Sequence, residues 1–228
     1  MGRRRPAPSE DKLQGLRAAQ PRTTDHGPRT KRTIRLATED DAEAVLAIYA
    51  PFCRDTPVSF ETREPTVAEM RRRIAKTLKS FPWLVCADAG LILGYAYASP
   101  HRERAAYDWS VDVSVYVREG LRRQGLGRAL YSSLFGLLRL QGFTNALAGT
   151  ALPNPGSVGL HQALGFQPVG VYRNIGFKCG AWHDVAWWQL ALREPTSGLA
   201  PDLPVALPLL DRSAAWHEAL QAGLALLR

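Results

Sequence analysis

The chain has 228 residues, 46% hydrophobic and 22% charged, with a formal net charge of +8; this composition fits a globular domain with extensions. Apolar runs stay well below the roughly 20 residues of a membrane span, and none follows the basic first residues, so we expect neither a membrane segment nor a secretory signal. The three cysteines, Cys53, Cys86 and Cys179, are widely spaced without a CxxC pair, which predicts reduced thiols in a cytoplasmic protein and no metal site.

Residues 1–32 are predicted to form a disordered basic arm, because they are rich in Arg, Pro, Thr and Gly and lack apolar periodicity. They hold nine Arg and Lys residues against three Asp and Glu, so the arm carries most of the net charge. We therefore expect no nucleic-acid partner for the folded body. Nucleic-acid binding through the arm is an open alternative, and so is an organelle-targeting sequence, although Glu10 and Asp11 weaken the latter.

A short strand at 33–36 and two helices are predicted to follow the arm. The first helix starts at the acidic stretch 38–41, and apolar residues recur after it at helical spacing. The second helix runs over 66–79 and starts with a Thr-x-x-Glu capping pattern. Its polar face is basic over 71–76, which favours a solvated surface over a nucleic-acid site.

The remaining pattern predicts a sheet interrupted by helices. Two apolar runs, 83–87 and 91–99, predict a hairpin, and polar and apolar residues alternate over 107–117 as in a half-buried strand. The later predicted elements are a helix at 127–141, a strand at 145–151, a helix at 155–164, and strands at 166–171 and 183–192. Strands that pass into helices and on to further strands predict a mixed sheet with helices on its faces.

Residues 195–228 are predicted to form a Pro-rich linker and a C-terminal amphipathic helix. Four prolines mark the linker, and a helix over 212–227 would place Trp216, Leu220, Leu224 and Leu227 on one side. Such a helix either packs on its own domain or forms a dimer contact, and the pattern leaves both open.

The segment 122–128, Arg-Arg-Gln-Gly-Leu-Gly-Arg, lies between the Val-rich strand and an apolar helix. A Gly-containing turn into a helix leaves several backbone N–H groups pointing one way, and these can hold a pyrophosphate with the help of the helix dipole. Gly125 and Gly127 let a ligand approach the backbone closely, and Arg123 and Arg128 add positive charge. The spacing matches neither a P-loop nor a dinucleotide-binding fingerprint. On its own, the pattern also fits an ordinary turn.

In its context, R-x-x-G-x-G after a strand ending at 115–117, the loop resembles the acetyl-CoA motif of the GNAT superfamily. Further segments over roughly 33–192 are similar to phosphinothricin N-acetyltransferases. These segments are Pro82–Val85, Gly94–Ala98, Arg104–Trp109, Ser114–Val117, Leu152–Asn154, Ser157–His161, Trp182–Val185 and Trp188–Gln189. The resemblance implies the GNAT fold over 33–194, an α/β (α+β) domain with a central mixed, mostly antiparallel sheet flanked by helices on both faces.

The resemblance implies acetyl-CoA as co-substrate, with its pyrophosphate on the loop and its pantetheine arm along the preceding strand. The residues assigned to acetyl-CoA in this way are Val115, Tyr116, Val117, Arg123, Gln124, Gly125, Leu126, Gly127, Arg128 and Asn154. It further implies acetyl transfer to the α-amino group of a small amino acid such as phosphinothricin, methionine sulfoximine or methionine sulfone. A detoxification or resistance role and a homodimer are implied as well.

Amine acetylation needs a base for the ammonium proton, and an acid can protonate the leaving thiolate. Asp112 is predicted to be the base, because it lies mid-strand on the polar face, three residues before the pantetheine strand. The family carries Glu there, so the carboxylate of Asp112 is set back by roughly 1–1.5 Å. A water relay, lower activity, a changed substrate or a structural aspartate are the alternatives. His161, where this family also has His, is predicted to protonate the thiolate or help deprotonate the amine; the alternative is a packing role.

Three further residues are predicted to bind the acceptor substrate. Arg104 would meet its carboxylate or phosphinate, since a guanidinium fork fits such anions; a surface arginine is the alternative. Lys178 and His183 lie in a family-like segment that is predicted to line the site. The neighbouring Trp182 and Trp188 are interpreted as core residues.

Other functions stay open at this level. A GNAT enzyme could act on a protein amino group or a polyamine, but a polyamine site would need acidic residues where Arg104 and Lys178 stand. A non-catalytic acyl-CoA-binding module is a third reading, supported only by aspartate at position 112.

Overall fold

The computed structural model describes residues 1–2, 32–194, 198 and 201–227. The predicted disordered arm therefore lies almost entirely outside the described residues, and the predicted linker lies partly outside them. The predicted boundaries of the three regions stay a prediction.

The described chain forms seven strands and five α-helices, joined by short 3-10 turns. The strands are β1 (Thr33–Leu36), β2 (Trp83–Asp88), β3 (Leu91–Pro100), β4 (Ser110–Val117), β5 (Asn145–Ala151), β6 (Gln167–Lys178) and β7 (Ala181–Ala191). The helices are α1 (Ala42–Asp55), α2 (Val67–Leu78), α3 (Leu126–Gln141), α4 (Pro155–Ala163) and α5 (Ala214–Gln221).

All seven strands belong to one open sheet in the order β1-β2-β3-β4-β5-β7-β6. Only the β4–β5 pair is parallel, and the other described pairs are antiparallel. The pair is parallel because α3 carries the chain back across the sheet, whereas tight turns connect β2 to β3 and β6 to β7. The predicted mixed, mostly antiparallel sheet is confirmed.

Helices cover both faces of the sheet and divide the core in two. On one face, α1 and α2 bury an apolar cluster that includes Val45, Ile74 and Tyr95. On the other, α3 fills a larger cluster with Leu130, Leu134 and the sheet. We call these the α1–α2 face and the α3–α4 face. The predicted helices on both faces are thus confirmed, and the capping box of α2 forms as expected, with Thr66 accepting from the Glu69 backbone N–H.

Three strands differ most from the sequence-based expectation. β4 begins at Ser110 rather than at 107, because 105–107 form a 3-10 turn. β6 and β7 are longer than predicted and form a hairpin whose turn uses Cys179 and Gly180, both at positive φ. Placing Trp182 in the core was wrong: it lies in the projecting part of this hairpin and is 62% exposed, whereas Trp188 is buried as expected.

The C-terminal segment packs on its own domain. Trp216 is almost fully buried in the core of the α3–α4 face. Gly223 ends the expected long helix early, since its backbone N–H donates to Ser133 Oγ, 3.1 Å away. A Cβ on Gly223 would lie 1.9 Å from the carbonyl oxygen of Ala129, so only glycine allows this close approach to α3.

Candidate active site

The β4 and β5 strands separate partway along the sheet. Their register pairs Ser110 with Asn145 and ends at Asp112 with Leu147. Beyond this point β4 keeps its pairing to β3 through Val117, so no other described strand pairs with its second edge. A cleft opens in the gap, lined among others by Val115, Tyr116, Gly149, Thr150, Asn154 and His161. An extended ligand with amide groups can therefore pair with this second edge of β4.

The 122–128 loop lies between the end of β4 and α3, as the sequence predicts. Gly125 is the N-cap of α3 in the left-handed conformation, φ 81°, and no side chain caps the helix. The first intrahelical bond runs from Ala129 N to Gly125 O, so the N–H groups of the first turn have no partner within the helix. Arg123 and Arg128 are exposed beside them. This arrangement fits a pyrophosphate by charge and by hydrogen bonding.

Neighbouring segments support the loop on both sides. A Cβ on Gly127 would lie 3.1 Å from Leu160 of α4, and one on Gly125 would lie 2.3 Å from the carbonyl oxygen of Leu226 in the C-terminal segment. Arg32 donates to the Gln124 side chain at 3.2 Å. No local sequence pattern indicates that Arg32 and the C-terminal segment contact this loop.

Asn154 occupies the N-cap of α4. Its side-chain oxygen accepts from the Ser157 backbone N–H at 3.1 Å, and its side chain also lines the cleft. Capping by Asn154 fixes the start of α4, and so the depth at which His161 reaches into the cleft.

His161 lies on α4 against the aromatic core of the α3–α4 face and is 3% exposed. Its Nδ1 lies 2.8 Å from the Ser157 carbonyl oxygen, which only accepts, so Nδ1 carries the proton. Burial lowers the pKa of His161, and the hydrogen bond to Ser157 opposes this shift. The neutral ring therefore keeps a lone pair on Nε2, and that buried atom has no hydrogen-bond partner among the described residues. Nε2 of His161 can therefore accept a proton or a hydrogen bond from a ligand.

Asp112 lies on β4 at the point where the β4–β5 pairing ends. Val111 and Val113 point into the core of the α3–α4 face, so Asp112 faces the opposite side of the sheet. Its Oδ1 lies 2.7 Å from Nδ1 of His101. Burial raises the pKa of the Asp112 carboxyl, and the hydrogen bond from His101 opposes the shift. Of the two predicted catalytic residues, His161 lines the cleft, whereas Asp112 lies on the opposite face of the sheet, where the β4–β5 pairing ends.

The three predicted acceptor-binding residues have different surroundings. Arg104 is exposed at the start of the 3-10 turn before β4. His183 donates from Nε2 to the Lys178 carbonyl oxygen at 2.9 Å. Lys178 is 7% exposed, and its Nζ donates to the backbone carbonyl oxygens of Phe52 and Ser59. These bonds use two of its three N–H donors, so Lys178 ties β6 to the last turn of α1 and to the segment that follows it. Its predicted role in binding the acceptor stays a prediction.

Sequence reasoning missed four residues at the site: His101, Tyr131, Thr150 and Ser157. Thr150, Ser157 and Tyr131 line the cleft with His161, and the Thr150 and Ser157 hydroxyls lie 3.1 Å apart. The sequence marks these three residues only weakly as site residues, because hydroxyl residues are common in strands and helices. It marks His101 more clearly, since His101 follows a strand that the hairpin pattern places beside the strand of Asp112.

Within the described ranges, no group of three or more His, Cys, Asp or Glu side chains is arranged to hold a metal ion. No described helix is both long and apolar enough to cross a bilayer.

Comparison with known proteins gives one consistent result. Residues 34–187 match the family model described as an acetyltransferase (GNAT) domain. The chain is 40% identical over 172 residues to a phosphinothricin N-acetyltransferase of Streptomyces viridochromogenes, covering 75% of this chain and 92% of that protein. It is 34% identical to an L-methionine sulfoximine/L-methionine sulfone acetyltransferase of Pseudomonas paraeruginosa, covering 72% and 96%.

Solved structures agree with the sequence relatives. A phosphinothricin acetyltransferase from Sinorhizobium meliloti, determined in complex with AcCoA, superposes with a TM-score of 0.70 at 35% identity. The match covers 76% of this chain and 98% of that one. The remaining quarter of this chain has no counterpart there.

Proposed function

The chain belongs to the GNAT family of acetyl-CoA-dependent N-acetyltransferases, and from that premise we propose that its acceptor is a small anionic amino acid. Phosphinothricin, methionine sulfoximine and methionine sulfone are the candidates, each acetylated on its α-amino group. The observation that carries the proposal is the identity of 34–40% to acetyltransferases named for these compounds, spread over 92–96% of their length. A cleft that ends in buried side chains can also admit a small molecule that bears an amine.

Acetyl-CoA would lie along the second edge of β4. We assign its pyrophosphate to the first turn of α3 with Gln124, Leu126 and the two loop glycines, where the unpaired N–H groups and exposed arginines supply hydrogen bonds and charge. The pantetheine amides would pair with β4 between Val115 and Val117. The thioester would then lie near the apex of the cleft, within reach of both sheet faces.

Proton transfer would use both faces of the sheet. On the α1–α2 face, the Asp112 carboxylate and its partner would help remove the ammonium proton of the acceptor. On the α3–α4 face, the bare Nε2 of His161 would take the second proton from the attacking nitrogen and pass it to the leaving sulfur. This agrees with both predicted roles of His161, because the neutral ring must accept a proton before it can donate one.

The acceptor's anionic groups would be held on the α1–α2 face. Arg104 is exposed in the turn before β4, and His183 lies on the same face of β7 as Trp187 by strand alternation. The Trp187 indole N–H is buried without a partner among the described side chains, so an oxygen of the acceptor would satisfy it. A cytoplasmic location and a detoxifying role accord with this chemistry and with the described cysteines being free thiols.

The test is acetyl-CoA consumption with phosphinothricin, methionine sulfoximine, methionine sulfone, spermidine and an alanine-starting peptide as acceptors. We expect kcat/KM for at least one of the three amino acids to exceed that for the amine and the peptide by 100-fold or more. Turnover confined to spermidine or the peptide would reject the proposed substrate class and favour the alternative acceptors.

We also propose that two copies of the chain associate through the β6–β7 hairpin. β6 is an edge strand, and it carries a row of exposed apolar side chains, continued by Trp182 of β7. The row consists of Val169, Val171, Tyr172, Ile175, Phe177 and Trp182, each 38–62% exposed. An unprotected apolar edge strand is rare on a monomer, because it invites pairing with another chain.

Replacement of Ile175 by Glu is therefore expected to convert a dimer into a monomer, since it places a charge inside the apolar row. Leu209→Glu is the matched control, because Leu209 is 76% exposed in the C-terminal segment, outside the row. Light scattering coupled to size exclusion at micromolar concentration measures the change. A wild-type monomer, or a dimer that survives Ile175→Glu, would reject this interface.

A further inference from the structure

Resting on the proposed function, we propose that His101 is the residue that takes the ammonium proton of the acceptor, and that Asp112 positions it. The two side chains form a His–Asp pair on the α1–α2 face, beside the point where β4 and β5 separate. His101 is then the catalytic base, and Asp112 acts through it.

The hydrogen bond defines which nitrogen of His101 is available. A carboxylate only accepts, so Nδ1 of His101 carries the proton that it shares with Asp112 Oδ1 at 2.7 Å. The opposite ring nitrogen, Nε2, makes no hydrogen bond within the described part of the chain and is not among its buried polar atoms. Nε2 is thus an accessible lone pair, whose direction Asp112 fixes.

The surroundings of His101 place that lone pair on the α1–α2 face. His101 follows directly after β3, whose Ser99 pairs with Asp112. Its ring lies between Tyr107 at 5.7 Å and Trp187 at 6.0 Å, both edge-on. Trp187 opposes the buried Trp188 along β7 and so faces the same side as Asp112. The ring is held on three sides, as a base that must meet a bound amine requires.

An imidazole suits this proton transfer better than the carboxylate alone. A neutral imidazole can take a proton at Nε2 while its Nδ1–H stays bonded to the carboxylate, so the pair can remove the acceptor's proton without giving up its own hydrogen bond. Moreover, one oxygen of the Asp112 carboxylate already accepts from His101. The negative charge of Asp112 also stabilises the imidazolium that forms.

Proton transfer to His101 begins the acetyl transfer. Nε2 of His101 takes one proton from the acceptor's ammonium group, which leaves a neutral amine and an imidazolium. The amine nitrogen forms a bond to the thioester carbonyl carbon, and the carbon–sulfur bond then breaks. The nitrogen loses its second proton, which ends on the sulfur of CoA, and His101 returns its own proton to solvent.

The experiment compares His101→Ala and the distant control His217→Ala, with exposed His217 on α5, on whichever acceptor the wild type turns over fastest. We expect His101→Ala to lose 100-fold or more in kcat and to regain activity with added imidazole. Acetyl-CoA affinity, measured by calorimetry, should stay within threefold of wild type, which excludes misfolding. The control should match the wild type throughout.

Retention of activity in His101→Ala would overturn the proposal and leave Asp112 as the base. So would a loss of activity that imidazole fails to restore while acetyl-CoA binding is intact. The choice of acceptor keeps the two proposals separate, because a wild type active only on spermidine or a peptide rejects the substrate class while the role of His101 is still measured.

Discussion

Asp112→Asn is expected to lower kcat by about 10³-fold, within the 10²–10⁴ range of a lost base or of its orienting carboxylate. The amide keeps the shape of the side chain but removes the negative charge that Asp112 places 2.7 Å from Nδ1 of His101. An amide can also donate to Nδ1, which would move the ring proton to Nε2 and remove the lone pair facing the acceptor. Single-turnover measurements at saturating acetyl-CoA report the chemical step directly.

Asp108→Asn is the matched control, because Asp108 is exposed in the turn just before β4 and pairs with no described cation. It should leave kcat within twofold of wild type. Asp112→Glu adds a second comparison: a longer carboxylate should raise kcat if Asp112 itself meets the amine, and lower it if it crowds His101. Full activity of Asp112→Asn would remove Asp112 from the mechanism altogether.

Local chemistry explains which parts of the fold the sequence could predict. β5 was predicted to the residue, because polar residues and a proline end it on both sides, and α2 was marked by its capping box. β6 extends to Lys178, past the predicted end at 171, and includes Asn174 at positive φ and Gly176. In the folded chain, the register shift between Tyr172 and Gly176 absorbs them, with Phe60 packed over Gly176. That packing joins residues more than 100 positions apart, which no local pattern shows.

The residues of the site likewise divide into those that the sequence could predict and those that depend on tertiary contacts. The phosphate loop is contiguous in sequence, so its residues could be assigned together before the fold was known. The His101–Asp112 pair depends on the register of β3 against β4, and a register shifted by one residue would have put the two side chains on opposite faces. The partners of Lys178 depend on where the last turn of α1 and the segment after it cross β6. The residue types show that these side chains can act as acids, bases or donors. Only the tertiary contacts show which partner each side chain has.

Gly125→Ala is expected to raise the KM for acetyl-CoA about tenfold or more and to lower the melting temperature. At φ 81° a side chain costs about 1–2 kcal/mol in backbone strain alone. The new Cβ would also lie 2.3 Å from the Leu226 carbonyl oxygen, so the loop or the C-terminal segment has to move. Because the N–H groups of the first turn of α3 must converge on one pyrophosphate, a shift of the loop weakens several hydrogen bonds together.

Gly120→Ala separates the two causes, because Gly120 has the same φ, 80°, but nothing within 4 Å of its added Cβ. It should show the strain alone, a loss of stability of about 1–2 kcal/mol, with little change in KM. Removal of residues 224–228 from the Gly125→Ala protein should then recover part of the affinity, because the obstructing carbonyl is gone. If Gly125→Ala and Gly120→Ala behave alike, the C-terminal segment does not support the loop, and the contact at Leu226 has no role in acetyl-CoA binding.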